Sequence, residues 1–393
     1  MEDANLGRVV TLVVCDENED VLGRSAPFRV DVPWWQEVDE IEAWRPGLTV
    51  LRLLGGSPLR ASNFGGDVTY LAEATGDLTL GGLIGWDGTL TDDPKRMPWA
   101  RAGGPTADLA WARATLGEDW ATARTVHHRT WNLSSISELT ANDDTAWLKC
   151  VPPFFAHEAA VLQALEPESV PRLIAADAHR MLLAPLPGHD GYEATVSEQL
   201  ELVDVLVGLQ VRTAASTPHL LAAGVPDART FPLVAEVSDV IARRAADDSH
   251  LRRLVDEAPD RLDEVASCGL PDVLVHGDAH PGNARIGCRP FIWFDWGDAR
   301  VGNPLLDLAV LERAPEEIRP TIETSWLEAW GDAVPGSDPE RAWKLLRPYA
   351  VARLAVVYQT FLDAIEESER RYHAGDVMPA LDAASRIVAA EST

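Results

Sequence analysis

Lysine is almost missing from this sequence. Of 34 basic residues only Lys95, Lys149 and Lys344 are lysines; the rest are arginines. Basic charge as a whole is scarce, with 34 Lys+Arg against 62 Asp+Glu and a formal net charge of −28. That balance argues against nucleic-acid backbones and anionic membranes as partners, and is compatible with a small, cationic one. The four cysteines (Cys15, Cys150, Cys268, Cys288) form no C-x-x-C pair, so neither a disulfide framework nor a zinc ribbon is indicated. No apolar run approaches the length of a bilayer span. The opening MEDANLGR has no apolar signal core, so a cytoplasmic location is expected. A G-x-S-x-G elbow is missing, which disfavours a serine hydrolase. His157-Glu158 is not a zincin motif, because Val161 stands where the second histidine belongs. His127-His128 reads as an exposed strand pair, without an acidic neighbour in sequence.

What is present is a globular chain, 393 residues long, 46% apolar and 24% charged, enough for two or three domains. RVVTLVVC and the run after its acidic turn read as a hairpin. PWWQEVDEIEAW reads as a helix opening at Pro33, with Trp34, Trp35 and Trp44 packing a small core. TVLRLLGG and DVTYLAEAT read as strands, the Gly/Pro-rich passage 76–105 as loop and linker, and TADLAWARATL as a helix capped by Thr106. A second β-rich block follows from Thr125 to Val151, then a chain that is mainly helical, broken by the short strands DVLVHGD and FIWFDWG. The expected organisation is an α+β accessory domain over 1–105, a β-rich lobe with its hinge over 106–187, and a helical lobe over 188–393.

The chemistry is concentrated in VLVHGDAHPGN. His276-Gly277-Asp278 closes an apolar strand, and Asn283 follows Asp278 by five residues. This is the spacing of a kinase catalytic loop, H-x-D-x-x-x-x-N. A loop leaving a strand aims the Asp278 carboxylate at an attacking hydroxyl. It then turns at Pro281-Gly282 and aims the Asn283 amide oxygen at a metal ion. Asp295-Trp296-Gly297 ends the next apolar strand in the place of D-F-G, and supplies the second oxygen ligand that Mg²⁺ between two phosphates needs. Upstream, Lys149 sits in the strand TAWLKCV. A lone ammonium there needs an anion, and Glu158, on the following helix, is the one at hand. LLAPLPG reads as a hinge, with the carbonyl of Ala184 and the amide of Leu186 facing an adenine, and Pro185 between them giving up no needed donor.

Lysine, glutamate, hinge, H-G-D…N and D-W-G occur in that order. The chain from about Thr125 to Thr393 thereby resembles the aminoglycoside phosphotransferase/choline kinase-like family. The resemblance rests on His276-Gly277-Asp278-x-His280-x-x-Asn283, on Asp295-Trp296-Gly297-Asp298-Ala299, on Gly302-Asn303-Pro304 and on Asp307-Leu308-Ala309. It implies an α+β, bilobal, protein-kinase-like fold, with an antiparallel β N-lobe and a mainly helical C-lobe, here preceded by the extra α+β domain. It implies an ATP- and Mg²⁺-dependent transfer to a hydroxyl of a small molecule, with GTP as the alternative donor. A sugar, amino sugar or aminoglycoside-like acceptor is expected, met by His280, Asp298, Glu366 and Glu367. Asp307 would brace the catalytic loop. There are departures: no G-x-G-x-x-G is present, so NLSSIS, with Ser134 and Ser135, has to cover the phosphates. The lysine-to-glutamate spacing is short, and the first hundred residues lie outside the usual kinase unit. A nucleotide-binding regulator or scaffold that uses the same fold is the competing expectation.

Overall fold

A computed structural model describes residues 7–59, 64–75, 82–165 and 169–391. Two compact units divide the chain. The first takes Met1–Ala156, Leu173–Pro185 and Phe361–Gly375; the second takes His157–Arg172, Leu186–Thr360 and Asp376–Thr393.

Among the described residues, unit 1 contains two sheets. In the first, β1 (Arg8–Cys15) and β2 (Val21–Arg24) form the expected hairpin. Its acidic turn is closed by the Asp16 carboxylate, which accepts the amides of Asn18 and Asp20. β3 (Phe28–Val30) pairs with the other end of β1. β4 (Leu48–Ser57) and β5 (Gly66–Ala74) complete the order β2-β1-β5-β4, with β1 and β5 parallel. A parallel central strand is covered on both faces, which is why β1 is an almost unbroken Val/Leu run. The helix expected from Pro33 begins later, as α1 (Asp39–Trp44). Between them Trp34 and Glu37 make single bridges to Phe64 and Arg129, and Trp35-Gln36 form a turn closed by the Glu37 amide on the Trp34 carbonyl. Trp35 does join the core, but Trp34 and Trp44 are 44% and 45% exposed. α2 (Gly104–Leu116) opens two residues before Thr106. Gly103 is its cap, and Pro105 fits its first turn, where an amide proton is not needed.

The second sheet is antiparallel, in the order β6 (Arg124–Trp131), β7 (Ser134–Ala141), β8 (Asp144–Cys150), β10 (Arg180–Leu183), β9 (Leu173–Asp177). Residues on both sides of position 105 share one core. Met97, Trp99, Leu139, Leu148, Leu182 and Ile365 pack in a single cluster. Backbone bonds from the Val38 amide to the His128 carbonyl and from the Thr130 amide to the Gln36 carbonyl add the N-terminal segment to the edge of β6.

Unit 2 is mainly helical. It holds α3 (Glu158–Ala164), α4 (Val196–Thr213), α5 (Thr217–Ala222), α6 (Thr230–Arg244), α7 (Ser249–Asp256), α8 (Ala258–Ser267), α9 (Arg319–Ala333) and α11 (Val377–Ala390), and all but the end of α10 (Pro339–Ala364). α4 starts at a capping box between Thr195 and Glu198. Short strands carry the motif loops. β12 (Val273–Val275) pairs with β15 (Arg300–Gly302), and β13 (Ala284–Ile286) lies between β11 (His189–Asp190) and β14 (Ile292–Trp293). Among the described residues no helix is long and apolar enough to cross a membrane.

Candidate active site

β12 is fully buried, and its apolar run stops where the chain must turn: Gly277 has φ 90°. A Cβ there would lie 2.1 Å from the Asp298 carbonyl oxygen, so only glycine lets the two motif loops touch. Further bonds stitch them together. The His276 ring, fully buried, donates from Nε2 to the Phe294 carbonyl at 3.0 Å and accepts the Asp278 amide at Nδ1, 3.3 Å away. Burial brings this imidazole down to about 4, so it stays neutral and keeps that tautomer. The Phe294 amide donates back to the Asn283 carbonyl at 3.0 Å. Asp278 and Asn283 are therefore held against the turn that begins at Asp295, itself in the left-handed region at φ 63°.

Beneath this loop Asp307, on the 3₁₀ segment Pro304–Arg313, acts as a clamp. Its carboxylate accepts the amides of Gly277 (2.7 Å) and His276 (2.9 Å) and the Gln210 side chain (2.7 Å). It is fully buried, and burial outweighs these bonds, raising its carboxyl to about 6. Arg353 donates to the Gly277 carbonyl from the other side at 2.9 Å. Glu158, on α3, accepts the Trp296 amide at 3.2 Å and so caps the D-W-G turn.

The Asp278 carboxylate receives three donors. Arg313 bonds Oδ1 at 2.6 Å; Asn283 Nδ2 bonds Oδ2 at 3.0 Å; His280 Nε2 lies 3.3 Å from Oδ2. Because His280 Nδ1 accepts the Gly282 amide, the ring proton is on Nε2 and points to Asp278. Burial alone would raise this carboxyl, but the His280 bond and the Arg313 charge hold it well below the usual carboxylate range. Asp298 goes the other way. Burial, with the Asp278 charge adding to it, pushes its carboxyl up to about 7. Asn283 spends its amide nitrogen on Asp278; its oxygen and the Asp295 carboxylate are hard oxygens of the kind Mg²⁺ takes.

Unit 2 thus brings together Asp278, His280, Asn283, Asp295, Asp298 and Glu158. Lys149, Ser134, Ser135, Ala184, Glu366 and Glu367 belong to unit 1, and the chain passes from one unit to the other between Pro185 and Leu186. Lys149 lies in β8, 9% exposed, between Ile136 and Met181 of the neighbouring strands. Ala184 is buried and Leu186 half-buried.

Several side chains sit otherwise than expected. The β6–β7 turn is Asn132-Leu133, and both serines are strand residues under a tenth exposed. The Ser134 hydroxyl accepts the Trp131 indole at 3.1 Å, and the Ser135 hydroxyl lies 3.1 Å from His127 Nε2. Their hydroxyls are committed to the sheet. Asn132 at the tip donates to Glu369 Oε2 at 3.1 Å and accepts His373 Nε2 at 3.0 Å. His127 is buried rather than exposed, and has its acidic partner after all in Glu42, 2.8 Å away and 85 residues back. Glu366 is 5% exposed and ion-paired to Arg96 at 3.1 Å, so its carboxylate is engaged inside unit 1. The Glu367 amide is bonded to Asp93, while its side chain is exposed. Arg313 and Arg353 reach the loop, and Gln210 reaches Asp307 beneath it, from at least 35 residues away along the chain, where no local sequence pattern shows them.

The fold and the loop chemistry define a small-molecule kinase, an enzyme that transfers a phosphoryl group to an alcohol. A scan of protein families agrees: residues 139–348 match the phosphotransferase enzyme family, and the chain belongs to it. A solved structure from Ralstonia eutropha, assigned as an aminoglycoside phosphotransferase, is similar at 16% identity and a TM-score of 0.53, over 72% of this chain and 98% of that one. The macrolide 2′-phosphotransferase of Brachybacterium faecium aligns at 19% identity and 0.47, over 72% and 98%. An ethanolamine kinase of Plasmodium vivax aligns at 11% identity and 0.48, over 69% and 84%. No curated protein matches the sequence.

Proposed function

We propose that the protein transfers the γ-phosphoryl group of ATP to a hydroxyl of a small molecule, with Asp278 orienting that hydroxyl. The observation that carries this reading is the carboxylate of Asp278, held ionised by Arg313, His280 and Asn283 and fastened to the Asp295 turn. A carboxylate held so far below its usual range is a weak proton acceptor. Its work is to align the alcohol and to steady positive charge near the transferring group, which is what a loose phosphoryl transition state asks for. Asn283 and Asp295 would hold Mg²⁺, which neutralises the phosphate oxygens. In this reading Lys149 and Glu158 serve the α- and β-phosphates of the nucleotide, and the Ala184–Leu186 hinge receives the base, of ATP or alternatively of GTP. A hydroxylated sugar or amino sugar is the acceptor class that the family resemblance supports, with His280 and Asp298 beside it.

The test is ADP release from Mg²⁺·ATP across a panel of alcohols. Asp278→Asn is expected to lower kcat by about 10²–10⁴-fold while Mg²⁺·ATP still binds. Tight Mg²⁺·ATP binding with no phosphorylated product, and full cellular function in Asp278→Asn, would establish the nucleotide-binding regulator instead.

A further inference from the structure

Beside the catalytic loop, wholly within unit 2, lies a cavity of about 640 Å³. We propose that it is the acceptor subsite, and that it takes an alcohol with an apolar body, not a polycation. The inference rests on the phosphotransferase reading and adds the chemistry of the second substrate.

Position is the first argument. His280 and Arg313, two of the three side chains that bond the Asp278 carboxylate, both line the cavity. A molecule seated there lies against the groups that hold that carboxylate. The volume lies in the ordinary range for small-molecule sites, roughly 300–1,000 Å³.

The walls are the second argument. Leu202 from α4, Trp293 from β14, Val310 from the 3₁₀ segment, and Ile322 and Trp326 from α9 are apolar and almost fully buried. Among the described residues lining the cavity, Glu193 alone carries a carboxylate, and Arg313 is a cation. A polycationic amino sugar would have to give up water for a surface with one anion to offer, and burying unpaired charge is costly. The net charge of −28 is therefore no guide to the acceptor, because of those carboxylates only Glu193 is in this wall among the described residues.

The experiment is calorimetric titration of the full-length protein with methyl, butyl and octyl β-glucoside below micellar concentrations, and with kanamycin as the polycation. Affinity is expected to climb along the alkyl series, by up to about fourfold per methylene, and kanamycin to bind more weakly than the octyl compound. Ile322→Asp should flatten the series. So should Ala314→Phe, which fills the cavity from a half-buried position and spares the core. A flat series in the unaltered protein, an alkyl dependence untouched by both variants, or tighter kanamycin binding overturns the proposal. Mg²⁺·ATP binding, measured alongside and expected to be lost in Asp295→Asn, reports on the phosphotransferase reading separately. If it is intact while the series is flat, only the acceptor assignment fails.

Discussion

At the scale of single residues, the site is a set of hydrogen bonds converging on one carboxylate. Arg313 is the partner that the motif does not contain. It reaches Asp278 from 35 positions downstream and fixes the orientation of a group whose geometry matters more than its basicity. Arg313→Gln is expected to lower kcat roughly tenfold, the low end for a charge-assisted hydrogen bond because this side chain is half exposed. KM for ATP should change little; steady-state kinetics at varied ATP separates the two. Asp307 is the opposite case, a residue whose bonds go only to its own protein. Asp307→Ala leaves the amides of His276 and Gly277 and the Gln210 side chain without an acceptor in a dry interior. Each orphaned donor costs about 1–3 kcal/mol, so stability should fall by at least about 3 kcal/mol, seen as a lower urea midpoint.

At the scale of elements, the β6–β7 hairpin shows how a local expectation is overruled. The Ser134-Ser135 pair has turn chemistry in isolation, yet the strand takes both residues. The tip moves two residues earlier, to Asn132, which the Phe361–Gly375 segment fastens through Glu369 and His373. Glu369 also accepts the Leu53 amide of β4 at 2.9 Å, so this one carboxyl joins three elements of unit 1. Burial, with the nearby charge of Glu366, raises it to about 8 from an ordinary 4.5. A group with a raised folded pKa contributes stability that is complete below its unfolded value and is lost as pH climbs through the folded one. The protein should therefore lose melting temperature between about pH 4.5 and pH 8 by an amount that Glu369→Gln removes. A melting series over that range, with and without the substitution, checks this. An identical slope in both proteins would assign the pH dependence elsewhere.

At the scale of the whole molecule, two properties follow from composition and packing. A net charge of −28 makes the folded state repel itself, and that repulsion is screened by salt. The melting temperature should rise between about 20 mM and about 500 mM NaCl, over which the screening length falls from roughly 20 Å to a few ångströms. The core shared by Met97, Trp99, Leu139, Leu148 and Leu182 bears on the expected boundary at residue 105. A chain starting at residue 106 would lay that apolar surface open and is expected to aggregate or to melt without cooperativity. A soluble 106–393 fragment with the melting curve of the full chain would make the first 105 residues a separable accessory domain.

By itself the sequence determined whatever depends on neighbours a few positions apart. His276 to Asn283 and Asp295 to Asp298 are short loops at strand ends, and their turn residues and spacing encode their shape; the family and the kinase fold follow from them. Tertiary structure decided the rest: that Arg313 and Arg353 bond the His276–Asn283 loop and Gln210 the Asp307 beneath it, that His127 finds Glu42, that Glu366 is bound by Arg96, and that a cavity with apolar walls opens beside that loop. The reason is one of range. Turn chemistry and strand periodicity act along the backbone, whereas partners separated by 35 to 270 residues meet only when packing has settled which side chains share an interior.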